Sequence, residues 1–266
     1  VWVLEQSTDA PGGGGARRAT IALSSGFGFG PLLSGALAQY APYPTVVPYA
    51  VIVVVLAVAI AIATTADGGR RPPTARTGPL LRSGLDATNR RAFFTGVAPM
   101  APFVFAFPAI AFAAVPLMLG AGALGSAPIA FIGLLAAVCL ASGVLAQPVT
   151  RRYEPALAAR VGLAIGATGC ALGAAAVAWH LVPLLLVIAA ILGAGYGVTM
   201  TAGLRRVELL SRPETRGGLT GVYYVMTYLG FAAPWLLALA TRTIAAPTSL
   251  LIVAGLAVLA AIGLRS

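Results

Sequence analysis

The sequence predicts an all-α integral membrane protein, a bundle of eight transmembrane helices. Three observations predict it. Of 266 residues, 59% are hydrophobic and only 9% are charged, against about 25% charged in an average soluble domain. Apolar stretches of about 20 residues, the length that crosses a bilayer as a helix, recur eight times. The basic residues fall between those stretches, and almost all on alternate connections, as in multi-pass proteins.

The predicted spans are 18–39, 46–66, 92–118, 128–149, 156–178, 183–204, 217–240 and 247–264. Segment 9–16, "DAPGGGGA", reads as a glycine-rich loop before the first span. The second span, "PYAVIVVVLAVAIAIATTA", is almost wholly aliphatic and suits contact with lipid. The third carries Pro99, Pro102, Pro108 and Pro116 and should be bent or broken. The first, fourth, fifth and sixth are rich in Gly, Ala and Ser, which lets helix backbones approach closely. A shared punctuation links two pairs of spans: Pro31 precedes Pro44-Thr45 by thirteen residues, and Pro234 precedes Pro247-Thr248 by thirteen. Parallel repeats of this kind build some transporters.

Every basic residue is arginine, which with the abundant alanine points to a GC-rich coding sequence. A net charge of +10 would fit a nucleic-acid binder, but the arginines form short clusters between apolar runs, so nucleic acid is not an expected partner. Sixteen of the seventeen lie on one side of the bundle. They are Arg17 and Arg18; Arg70, Arg71, Arg76, Arg82, Arg90 and Arg91; Arg151, Arg152 and Arg160; Arg205, Arg206, Arg212 and Arg216; and Arg265. Only Arg242 falls on the other. The basic side is expected to be cytoplasmic, with both ends of the chain on it.

Cys139 and Cys170 sit inside apolar spans and read as packing residues. His180, the one histidine, follows Trp179 at a helix end. Neither a metal nor a cofactor is expected. The acids Glu5, Asp9, Asp67, Asp86, Glu154, Glu208 and Glu214 all lie in loops or at a helix end. Membrane-buried acids mark ion pathways, so a group that couples a proton or cation is expected elsewhere in the full protein. Glu208, near Arg205 and Arg212, reads as a loop or gate partner.

The stretch "GFGFGPLLSG" at 26–35 resembles a phosphate loop at first sight. Such a loop needs a strand before it, a helix after it and an acid about 20 positions on. Here the flanks are apolar at membrane length, and the next acid is Asp67. Read as a helix, Gly26, Gly30, Ser34 and Ala38 form one stripe of small residues suited to a neighbouring helix. Pro31 removes one backbone bond beside it.

These residues carry a resemblance. Gly26-x3-Gly30-Pro31-x2-Ser34-Gly35 resembles the fifth-helix antiporter motif of the major facilitator superfamily, with Ser34 in place of one glycine of the final pair. Residues 143–152, "GVLAQPVTRR", resemble that family's cytoplasmic loop motif, G-x3-D-R-x-G-R-R. Gly143, Arg151 and Arg152 match; Gln147 replaces the acid, Pro148 the first arginine and Thr150 the second glycine. Gly143 permits close helix contact, and Arg151 and Arg152 can bond carbonyls or acids at that end.

The resemblance implies that the eight spans are the family's helices 5 to 12. Residues 1–66 would then end the N-terminal bundle, 67–91 form the central cytoplasmic loop, and 92–266 make the C-terminal six-helix bundle. Four further helices are expected upstream, in keeping with a chain that opens at Val1 without a signal-peptide pattern. The implied function is secondary active transport of a small molecule across the cytoplasmic membrane, of the bacterial inner-membrane kind. The fifth-helix motif tilts it towards antiport and efflux.

In that family the substrate sits between the two halves near the bilayer midplane. Helices 7, 8, 10 and 11 line the C-terminal side, and 6, 9 and 12 face lipid. The expected lining is Phe103 and Phe107 in the third span; Tyr196, Thr199 and Met200 in the sixth; and Thr220, Tyr224, Thr227, Tyr228, Phe231 and Trp235 along one face of the seventh. An aromatic cavity with few polar groups suits an amphipathic molecule; ordinary helix packing is the alternative. An integral membrane enzyme would want clustered His, Asp or Glu at one surface, and the permease subunit of a multi-protein transporter would want a coupling helix. Neither feature stands out.

Overall fold

A computed structural model describes residues 14–66, 85–86, 88–212 and 215–264, with side chains from residue 25 onward. Most of the expected central loop, with Arg70, Arg71, Arg76, Arg82 and Asp67, lies outside the described residues, as do Glu5, Asp9, Glu214 and Arg265. The described residues form eight helices or helical spans and no strand. They are α1 (Gly14–Tyr40), α2 (Val47–Ala66), α3 (Arg90–Leu119), α4 (Pro128–Ala146), α5 (Pro155–Ala178), α6 (Leu185–Leu210), α7 (Arg216–Ala240) and α8 (Ala246–Gly263). The last seven are long and apolar enough to cross a membrane. The expected spans hold to within four residues, except that α6 runs to Leu210, six beyond the expected end at 204. Gly14, Gly15 and Ala16, expected in a loop, are already helical.

Proline sets the breaks. In α3 a turn at 97–100 separates Arg90–Gly96 from Ala101–Ala109. A π-turn follows at Ile110–Ala114, before Val115–Leu119. Pro116 has no N–H to give to the carbonyl four residues back. The amide of Val115 reaches back five residues instead, to Ile110, and a π-bulge results. In α7, Pro234 follows a 3₁₀ turn at Leu229–Ala232.

The packing centres on α6, which touches α3, α4, α5 and α7. The run Leu192-Gly193-Ala194-Gly195-Tyr196-Gly197 explains how. Gly193 and Gly197 lie one turn apart and face α4: a Cβ on Gly193 would stand 2.9 Å from the Cα of Cys139, and one on Gly197 would stand 2.7 Å from the Cα of Gly143. Gly195 faces the other way, where a Cβ would meet the Cα of Gly166 in α5 at 2.9 Å. Without hydrophobic drive between helices in lipid, such close backbone approach supplies the packing energy. Cys139 and Cys170 are buried, free thiols within this packing.

Outside this group, α8 packs on α5, α1 packs on α4, and α2 touches α1. The aliphatic α2 is exposed along nearly its whole length, as a lipid-facing helix would be. The expectation of a lipid-facing ninth helix fits α5 only in part. Its glycines and half of its alanines are buried, and the exposed strip is Leu157, Arg160, Ala164 and Thr168.

The start of α3 carries a reciprocal cap. The Asp86 carboxylate accepts from the Asn89 amide at 2.9 Å, while the Asn89 side-chain oxygen accepts from the Asp86 amide at 3.0 Å. The Thr88 hydroxyl also donates to Asp86. That hydroxyl bond and the Asn89 amide lower the Asp86 pKa from the ordinary 3.8. A carboxylate held below its ordinary value contributes stability that is complete above pH 3.8 and is lost as the pH falls through the lowered value. Asp86→Ala at neutral pH is expected to speed hydrogen exchange at the Asn89 amide and leave α6 amides unchanged. Equal protection of Asn89 in the variant would refute the cap.

Candidate functional site

One face of the bundle, where α3, α6 and α7 meet, gathers aromatic rings. Gly230 positions it. A Cβ there would meet the carbonyl carbon of Phe105 at 2.9 Å, so only glycine lets the 3₁₀ turn of α7 lie directly on α3. That approach brings Phe105 against two rings of α7, Tyr228 and Phe231, which also stack on each other at 6.1 Å. The Phe105 centroid is 4.7 Å from Phe231 at an interplanar angle of 10°, and 5.4 Å from Tyr228 at 7°. On α6, Tyr196 stacks on Phe105 at 6.0 Å, and Tyr224 adds a tilted contact to Tyr228 at 6.4 Å. Each such pair contributes about 0.5–1.5 kcal/mol beyond burial.

Tyr228 and Phe231 remain more than half exposed, so the cluster is an open platform and not an enclosed cavity. Thr227 is buried, and its hydroxyl donates to the Tyr224 carbonyl at 2.7 Å. Thr220 is half-buried, and Trp235 is exposed further along α7.

The other expected lining residues lie elsewhere. Phe107 is fully buried, its ring against Gly166 of α5, which has no Cβ to obstruct it. Phe103 is half-buried beside it, with ring centroids 5.7 Å apart. Thr199 is fully buried at Gly162, between α5 and α6. Phe107 and Thr199 are thus part of the helix packing, not of an open surface.

Sequence reasoning missed Phe105, although the alternation Phe103-x-Phe105-x-Phe107 contains it. It also missed Tyr223, the fully buried anchor of α7, whose hydroxyl donates to the Met200 carbonyl at 3.3 Å in space left by Gly203.

The stretch that resembles the fifth-helix motif lies on the contact between α1 and α4, but through a different line than the Gly26-Gly30-Ser34-Ala38 stripe. A Cβ on Gly133 of α4 would stand 2.7 Å from the Pro31 carbonyl oxygen, and one on Gly35 would stand 2.9 Å from the Gly133 Cα. Gln39 accepts from the Ile129 amide at 3.0 Å. Ser34 is half-buried beside this line. Gly26 and Gly30 are exposed, with no atom within 4 Å of an added Cβ. Away from the Gly35–Gly133 contact, towards the start of α1, a groove of about 440 Å³ opens between Gly28, Phe29 and Leu32 on α1 and Leu134, Val138 and Ala141 on α4.

The arginine-rich end is tied together by backbone carbonyls. Gly143 packs under the Tyr196 ring, and Gln147 begins a 3₁₀ turn that ends at Arg152. Arg205 of α6, not Arg151 or Arg152, donates to carbonyls of this loop: to Thr150, and to Tyr153 at 3.2 Å. The reason is position: Arg205 is on a packed helix facing the loop, while Arg151 lines the pocket beside it and Arg152 is exposed. Glu208 pairs with Arg216 at 3.0 Å across the α6–α7 connection, where both are exposed. The Asn89 amide group reaches the Leu210 carbonyl at 3.4 Å. Arg242 lies exposed in the turn between α7 and α8 at the opposite end. Among the described residues, no three His, Cys, Asp or Glu side chains gather where they could hold a metal ion.

No curated protein and no solved structure matched the chain. The family model described as Major Facilitator Superfamily matches residues 18–234, well over half of the sequence. That match runs from α1, with its Gly30-Pro31 motif, to the 3₁₀ turn that sets the aromatic platform. The chain belongs to the major facilitator superfamily of membrane transporters.

Proposed function

We propose that the chain is the helix 5–12 portion of a secondary transporter that moves planar, amphipathic aromatic molecules by alternating access, in the direction of export. The observation that carries this reading is the stacked platform of Phe105, Tyr228 and Phe231, with two of its rings exposed. A planar apolar ligand can extend such a stack, and a cationic one gains from the ring faces. The acids among the described residues stand at helix ends or connections, so charge recognition at the platform falls to the aromatic faces.

In this reading α1 and α2 end the N-terminal bundle, and α3–α8 form the C-terminal bundle. Gly35 and Gly133 are where the halves touch, and the groove beyond them is where the halves part. The arginine-rich end faces the cytoplasm, with a proton or another cation as the coupling partner. The full-length protein, purified in detergent, is expected to bind ethidium saturably, as followed by its fluorescence. A strictly linear, non-saturable signal would reject this substrate class and leave the family membership standing.

A further inference from the structure

The outer seam between α5 and α8 ends, at the arginine-rich side, in a groove of about 450 Å³ lined by Arg160, Ala164, Val258, Ala261 and Ile262. Its size falls within the range of ligand sites. Four of the five walls are aliphatic, and Ile262 is 73% exposed. Arg160 is exposed at the mouth, where its Nη2 donates to the Leu264 carbonyl at the end of α8, 2.6 Å away.

That bond fixes the plane of the guanidinium but uses one of five N–H donors. Arginine's fork matches phosphate oxygens two at a time. Among the described residues, no carboxylate lines the groove. Among the described acids at this end of the bundle, Glu208 is paired with Arg216, and Glu154 lines a separate pocket beside Arg206. Among the described residues no carboxylate pairs with Arg160, so its remaining donors can take an anion from outside them. The groove opens sideways, on a seam that a membrane-spanning bundle turns towards lipid, so its occupant has an apolar chain as well as an anionic head.

We propose that this groove is a binding site for one anionic phospholipid, its headgroup phosphate on Arg160 and an acyl chain along Ala164, Val258, Ala261 and Ile262. Basic pockets between helices at a membrane surface recognise anionic lipid heads in this way. The site lies apart from the aromatic platform and does not depend on the substrate reading. Only its assignment to the cytoplasmic leaflet rests on the proposed sidedness.

The test is native mass spectrometry of the full-length protein in detergent, titrated separately with phosphatidylglycerol and with phosphatidylcholine of the same chains. Wild type is expected to retain phosphatidylglycerol in preference, and Arg160→Gln to lose about fivefold in its affinity, the order expected of one basic group. Arg160→Gln also removes the Leu264 bond, so a second variant is needed. Ala164→Phe leaves that bond intact, fills the groove, and is expected to lose the same lipid. Glycerol 3-phosphate, which has the head without the chains, is expected not to compete. Equal retention of the two lipids by wild type, or unchanged phosphatidylglycerol affinity in both variants, would overturn the site. Competition by glycerol 3-phosphate would show a simple phosphate site instead. Labelling of a cysteine placed at Arg152 reads the sidedness independently: labelling from outside the cell would move the lipid to the other leaflet without touching the binding result.

Discussion

Gly193→Leu is expected to destabilise the bundle by about 3 kcal/mol, the upper end of overpacking costs, and to lower its melting temperature by about 6–12 °C. The reason is what an added side chain meets. A Cβ on Gly193 would lie 2.7 Å from the Cys139 carbonyl carbon and 2.9 Å from its Cα. These are backbone atoms of α4 and cannot swing aside as a flexible side chain could. The helix must shift, and α6 cannot shift freely, because Gly195 already holds it against α5 at Gly166. Gly255, exposed on α8 with nothing within 4 Å of an added Cβ, is the control. Gly255→Ala should be neutral or stabilising by up to about 1 kcal/mol. Thermal unfolding of the purified full-length variants, followed by light scattering or intrinsic fluorescence, reads both. Equal melting of Gly193→Leu and wild type would contradict the packing described.

Phe105→Ala is expected to weaken ethidium binding about tenfold, which corresponds to about 1.4 kcal/mol, and to lower the melting temperature by at least about 3 °C through the lost ring contacts. Phe105 is the ring that Tyr196, Tyr228 and Phe231 all stack against. Removing it takes the third ring from the stack and leaves Tyr228 and Phe231 held by their own 6.1 Å contact, so a ligand meets a smaller and less ordered surface and must order it on binding. Phe105 is only partly buried, so its loss opens less cavity than the loss of a core ring. Phe94→Ala, at an exposed ring at the start of α3, should leave ethidium affinity unchanged. An unaltered dissociation constant in Phe105→Ala, or an equal loss in Phe94→Ala, would remove Phe105 from the site.

The spans were legible because length and hydropathy alone determine which segments cross a bilayer, and α2 to α8 follow from that. The break in α3 was legible too, since four prolines in one span cannot all be accommodated in a regular helix. Which face each helix presents was less so. Gly26, Gly30, Ser34 and Ala38 have perfect helical spacing, yet the contact runs through Pro31 and Gly35, because its partner is Gly133, a residue that no local pattern in α4 singles out. Phe103 and Phe107 share one face of the helix, with Phe105 on another. Gly230, more than a hundred residues later, lets Phe105 join the rings of α7, and Gly166 makes room for Phe107. The arginines gave a clear asymmetry between the two ends, but which arginine bonds the loop depended on helix packing, which favoured Arg205 over Arg151 and Arg152.

The most direct test of the transport reading is counterflow. Full-length protein is reconstituted in liposomes loaded with unlabelled ethidium, and uptake of radiolabelled ethidium at tracer concentration is followed over time. Alternating access around the aromatic platform predicts transient, saturable accumulation of the label above its equilibrium level, reduced in Phe105→Ala. Uptake indistinguishable from that of protein-free liposomes would contradict it.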